Sequence, residues 1–118
     1  MKRFAVVVVI GLLATLASAL PVIAGPSASE ATTVAVKMTD LKFALSKRSV
    51  AKGVVTFRVT NAGRLPHDFK IAGKKTPILA AGKSATLKVT FKKAGRYPYI
   101  CAVPGHASAG MKGVLVVK

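Results

Sequence analysis

Four side chains able to hold a transition metal stand out in this chain: His67, Cys101, His106 and Met111. Three of them lie in Cys101-Ala-Val-Pro-Gly-His106-Ala-Ser-Ala-Gly-Met111, a C-x4-H-x4-M spacing. The fourth lies upstream, in Leu65-Pro66-His67-Asp68-Phe69. Cys101 is the only cysteine, and the chain has no histidine besides His67 and His106. Two imidazoles, one thiolate and one thioether are the donors of a trigonal His₂Cys copper site with a weak axial methionine. A structural zinc site would not choose the thioether. Each residue also has a plainer reading on its own. His67 could be a satisfied strand histidine, His106 a loop residue, Met111 a core gap-filler and Cys101 a small buried hydrophobe. Jointly, and at this spacing, they point to metal.

The N-terminus bears on the thiol. Met1-Lys2-Arg3 is basic, Phe4 to Leu20 is almost unbroken apolar sequence, and Ala17-Ser18-Ala19 and Val22-Ile23-Ala24 are small-residue cleavage patterns. Residues 1–24 therefore read as a secretory signal cleaved after Ala24. The competing reading is an uncleaved anchor, since Phe4 to Ala24 is long enough to span a bilayer. Either way the remainder is expected to be exported, to a periplasmic or other extracytoplasmic location. A single cysteine cannot form an internal disulfide there, and a metal-bound thiolate accounts for it.

A chain of 118 residues has room for one small domain. Without Lys2 and Arg3, 17 of its 19 basic residues remain against three acids, Glu30, Asp40 and Asp68, a formal charge of +14. Such an excess attracts acidic partners or anionic surfaces. With no basic helix and no aromatic stacking platform, nucleic acid is not the expected partner.

Positioning the four donors falls to β-strands. Residues 25–33 read as a small-residue linker and 34–118 as the folded domain. Apolar residues alternate in Val34-Val36-Met38, Phe43-Leu45, Val55-Phe57-Val59, Leu87-Val89-Phe91 and Tyr97-Tyr99-Cys101, and Leu115 and Val117 close the chain. Turn signals separate them at Ala51-Lys52-Gly53, Asn61-Ala62-Gly63, Gly73-Lys74-Lys75, Ala81-Gly82-Lys83 and Ala94-Gly95. The expected fold is all-β, a Greek-key β-sandwich of about seven to eight strands. Lys37, Arg58, Lys88 and Lys92 fall on outward positions, as a solvated face that blunts edge pairing or as a docking surface. Parity puts Cys101 inward at the end of its strand, His106 on the following loop, Met111 at the opening of the last strand, and His67 on a strand beginning near Pro66.

The whole of this domain, about ninety residues, resembles the cupredoxins, the blue-copper electron carriers. The C-x4-H-x4-M spacing is similar to that of the auracyanin and rusticyanin branches. Tyr97-Pro98-Tyr99-Ile100-Cys101 and Pro66-His67 resemble plastocyanin, and Val103-Pro104-Gly105-His106 resembles azurin. The resemblance implies one mononuclear type 1 copper held by His67, Cys101, His106 and Met111. It also implies a backbone N–H donated by Asp68 to the Cys101 sulfur, with Val103 a second donor. The residue after the first histidine is commonly asparagine in these families, and here it is Asp68, either a local loop carboxylate or a support for the site. Leu65, Pro66, Pro104, Gly105, Ala107 and Ala109 would surround the His106 edge with the apolar patch where redox partners dock in those families.

The function so implied is single-electron shuttling between exported or membrane-bound redox proteins with acidic docking surfaces. The chain would act as a monomer, associating with a membrane if its N-terminal segment is retained. The alternative is copper delivery or storage outside the cytoplasm. An Ig-like interaction module leaves the free cysteine unexplained. An enzyme is not expected, because copper oxidases and nitrite reductases need further histidine-ligated coppers.

Overall fold

The computed structural model describes residues 31–118, together with 3–5 and 11. The expected signal or anchor, and the linker up to residue 30, lie outside the described residues apart from 3–5 and 11. Among the described residues the regular structure is strand throughout. The elements are β1 (Thr32–Thr39), β2 (Lys42–Leu45), β3 (Ser49–Val50), β4 (Gly53–Asn61), β5 (Lys70–Ile71), β6 (Lys74–Lys75), β7 (Ser84–Phe91), β8 (Gly95–Ile100) and β9 (Lys112–Val117).

They form two sheets, in the orders β2-β1-β4-β7 and β3-β9-β8-β5-β6. This is the all-β sandwich that the alternation implies. β1 runs parallel to β4 and β3 parallel to β9, while the other pairs are antiparallel.

Period-two alternation decides which face each strand buries. In β1, Val34, Val36 and Met38 are buried, and in β4 so are Val55, Phe57 and Val59. The parallel register sets Val34 beside Phe57 and Val36 beside Val59, so their apolar faces coincide. Lys37, Arg58, Lys88 and Lys92 are exposed, as parity requires. The five-stranded sheet contributes Ile71, Tyr99, Leu115 and Val117. Phe69 sits between the sheets, its ring centroid 5.1 Å from Phe57 and 5.6 Å from both Phe43 and Tyr99. Such tilted and edge-on aromatic pairs add to the burial gain.

Four local expectations are corrected. Thr32 and Thr33, expected in the linker, already belong to β1 and pair with Val55 and Thr56. Gly73-Lys74-Lys75 is not the turn: Ala72 and Gly73 are, with φ of 51° and 76°, and Lys74–Lys75 is strand β6. Two successive residues with positive φ make the two-residue hairpin that matches strand twist. His67 lies on no strand, only an isolated antiparallel bridge to Leu79. Met111 immediately precedes β9, which opens at Lys112.

Candidate metal centre

Cys101 follows β8 directly and keeps its inward parity, so the sulfur is wholly buried. The next residues fold back on themselves. The His106 N–H donates to the Val103 carbonyl at 3.1 Å, and Ala109 donates to the carbonyls of Gly105 and His106 at 3.2 and 3.1 Å. Gly105 and Gly110 supply the positive φ values, 82° and 109°, that close these turns. Met111 then donates its N–H to the His106 carbonyl, and the Cys101 N–H donates to the Met111 carbonyl, each at 3.1 Å. The loop thus returns Met111, itself wholly buried, to the backbone it left at Cys101.

His67 arrives from the other side of the site. Its backbone exchanges two hydrogen bonds with Leu79, at 3.1 and 2.7 Å. The preceding turn is held by the buried Asn61, whose amide donates to the carbonyls of Leu65 and Leu79 at 2.9 and 2.8 Å.

These paths converge. The His67 and His106 Nδ1 atoms lie 3.1 Å apart, and the Cys101 Sγ lies 3.9 and 3.6 Å from them. An ion bound at ordinary lengths, ~2.1 Å to nitrogen and ~2.3 Å to sulfur, needs N–N and N–S separations below ~4.2 and ~4.4 Å. All three distances satisfy that requirement. His67 and Cys101 are buried, and His106 is half-buried, bringing one ligand edge toward the surface. Of the residues expected around the His106 edge, Leu65 is 45% exposed, Pro66, Pro104, Gly105 and Ala109 are exposed too, and Ala107 is half-buried. Tyr99 is buried in the core, and Tyr97 is half-buried with its hydroxyl donating to the Lys93 carbonyl at 2.8 Å.

Burial dominates the electrostatics at the sulfur. Burial pushes the Cys101 thiol up, while the backbone N–H groups of Asp68 and Val103 pull it down. These are the two donors that the resemblance implies. The Asp68 side chain is buried and accepts the Ala102 N–H at 2.6 Å. It therefore braces the start of the ligand loop rather than capping a local turn.

Sequence reasoning missed Asp40. It sits in the tight turn between β1 and β2, and its Oδ1 accepts from the His67 Nε2 at 3.0 Å. The same oxygen accepts the N–H groups of Arg64 and Leu65, both at 3.0 Å. These donors, Leu65 foremost, hold the Asp40 carboxyl below its usual range. Gly63 makes the approach possible, because a Cβ there would overlap the Asp40 carboxylate. The one available signal was scarcity: the chain has three acids, and two of them serve this site.

A family model described as a cupredoxin-like domain matches residues 4–117. The copper-resistant cuproprotein CopI of Rubrivivax gelatinosus is 31% identical over 117 residues, covering 80% of this chain and 71% of its own length. Auracyanin-B of Chloroflexus aurantiacus is 42% identical over 71 residues, 58% of this chain and 30% of that protein. A solved structure of auracyanin B superposes with a TM-score of 0.67 at 26% identity, covering 75% of this chain and 89% of the other. A blue copper oxidase from Nitrosomonas europaea shares the fold, with a TM-score of 0.63 at 24% identity, over 75% of this chain and 39% of its own.

Proposed function

Because the chain belongs to the cupredoxin-like domain family, a family that binds copper, we propose that it is a one-electron carrier whose single type 1 copper is held by His67, Cys101, His106 and Met111. One observation carries the reading: two imidazole nitrogens and the only thiol converge within 4.8 Å of one another. The buried Met111 is tied to both neighbouring ligand residues by its backbone. That donor set is the blue-copper one, and copper so held supplies a Cu(I)/Cu(II) couple.

The chain's own residues do the rest. The end of β8, the start of β9, the His67–Leu79 bridge and a self-bonded loop hold the donors near one geometry, which keeps reorganisation small when the charge changes. Burial of His67 and Cys101 keeps water from the thiolate. His106 is half-buried, and the exposed Leu65 and Pro104 would form an apolar rim where a redox partner meets the shortest path to the centre. A carrier of this kind works between exported or membrane-bound partners.

The CopI relative favours a second reading, copper handling in resistance, by delivery or storage. Optical and electrochemical behaviour separates the two. A carrier gives an intense visible thiolate-to-copper band, bleaches reversibly on reduction and exchanges electrons without losing metal. Cys101→Ser should abolish the band while circular dichroism still reports the sandwich. A colourless Cu(II) complex, or metal lost on each reduction, would favour delivery.

A further inference from the structure

The turn carrying Asp40 is held in an unfavourable conformation. Thr39 pairs with Lys42, leaving only Asp40 and Leu41 to reverse the chain, and Leu41 takes a φ of 65°. A non-glycine residue in the left-handed region is sterically disfavoured, and such strain persists where surrounding contacts over-determine it. Here those contacts are Asp40's own. One carboxylate gathers the His67 Nε2–H and the backbone N–H groups of Arg64 and Leu65, and Gly63 leaves it the space. The donors come from 24 to 27 residues away, so the carboxylate serves another segment rather than its own turn.

On the His67 side the geometry has one chemical meaning. A neutral imidazole that donates from Nε2 to a carboxylate must leave Nδ1 bare. The His67 Nδ1 is the atom that faces Cys101 and His106. A carboxylate behind a metal-binding imidazole fixes the ring's tautomer and orientation and raises its basicity.

We infer that Asp40 is a positioning residue of the metal centre, holding His67 in its Nε2–H form and, through the ring, stabilising the more highly charged state of the bound metal. The inference rests on His67 being a ligand. A carboxylate that only stitches the 63–65 turn to the β1–β2 turn would leave the ring chemistry untouched. Asp40 is 39% exposed at its side chain while His67 is wholly buried, so the carboxylate also caps the ring's solvent side.

Asp40→Ala and Asp40→Asn test it with two readouts. The first is the His67 tautomer in metal-free, ¹⁵N-labelled protein well above the imidazole titration range, read from long-range proton–nitrogen correlations. Wild type should show protonated Nε2 and bare Nδ1. Asp40→Asn, which keeps an acceptor oxygen, should retain that pattern, and Asp40→Ala should show both tautomers. The second is the midpoint potential of copper-loaded protein, which should rise in both variants. Asp40→Asn is close in size to the wild-type residue and keeps the test open if Asp40→Ala fails to fold. A wild-type His67 bare at Nε2, or an Asp40→Asn potential equal to wild type, overturns the inference. Failure of the ligand assignment looks different: the tautomers would shift as described, yet His67→Gln would leave the visible copper band in place.

Discussion

Besides the two histidines, the Cys101 sulfur meets the N–H groups of Asp68 and Val103, and the Asp68 carboxylate acts one peptide further along. That carboxylate oxygen takes the Ala102 N–H, a bond an asparagine oxygen could equally accept, so aspartate at this position keeps the loop brace. Hydrogen bonds to charged groups contribute about 1.5–3 kcal/mol. Asp68→Ala should therefore lower stability by that order, and Asp68→Asn by less, measured by chemical denaturation of the metal-free protein. Met111→Leu should keep copper and raise the potential, since losing a weak axial donor favours Cu(I). Voltammetry showing no change would mean that Met111 only packs. The cluster of His67, Cys101 and His106 was legible in sequence because rare residue types recurred at a short spacing. Asp40 was not, because its partner His67 lies 27 residues on and an aspartate in a turn needs no other explanation.

Strands were legible where a long run alternates, and less so where pairing is short. β1, β4 and β7 could be read from period two alone, because one face of each is buried. β5 and β6 are two residues each, too short for any period to register. His67 was expected on a strand beginning near Pro66, yet only its bridge to Leu79 forms. The mixed topology was hidden too, since parity says which face is buried but not which strand lies alongside. Its energetic weight falls on the aromatic layer. Phe57 is wholly buried, 5.1 Å from Phe69 and 6.4 Å from Phe91. Phe57→Ala should cost about 3–5 kcal/mol. Lys88→Thr on the opposite face should stay within about 0.5 kcal/mol. Equal losses in thermal melts of the two variants would contradict this division of labour.

At the scale of the molecule the charge excess and the apolar rim make separable predictions. If basic side chains steer an acidic partner, the second-order electron-transfer rate should fall steeply with salt, since screening shortens their reach to about 8 Å at physiological ionic strength. Lys70→Glu and Lys112→Glu, both at exposed positions near the site, should slow transfer and flatten that dependence. Leu65→Lys should slow it even at high salt, by spoiling the rim itself. Stopped-flow rates indifferent to ionic strength would leave the lysines as a solvated exterior. The two parallel pairings carry a different consequence, one of time. Val34 must find Phe57, and Val50 must find Val117, before either sheet is complete. Non-local pairing of this kind belongs to folds that form on the order of milliseconds to seconds. Through that interval the thiol is bare, and if the chain is exported it meets an oxidant with no internal cysteine to pair with. Its hazard is crosslinking to another newly made copy, so safe maturation depends on how fast the sandwich closes over the sulfur.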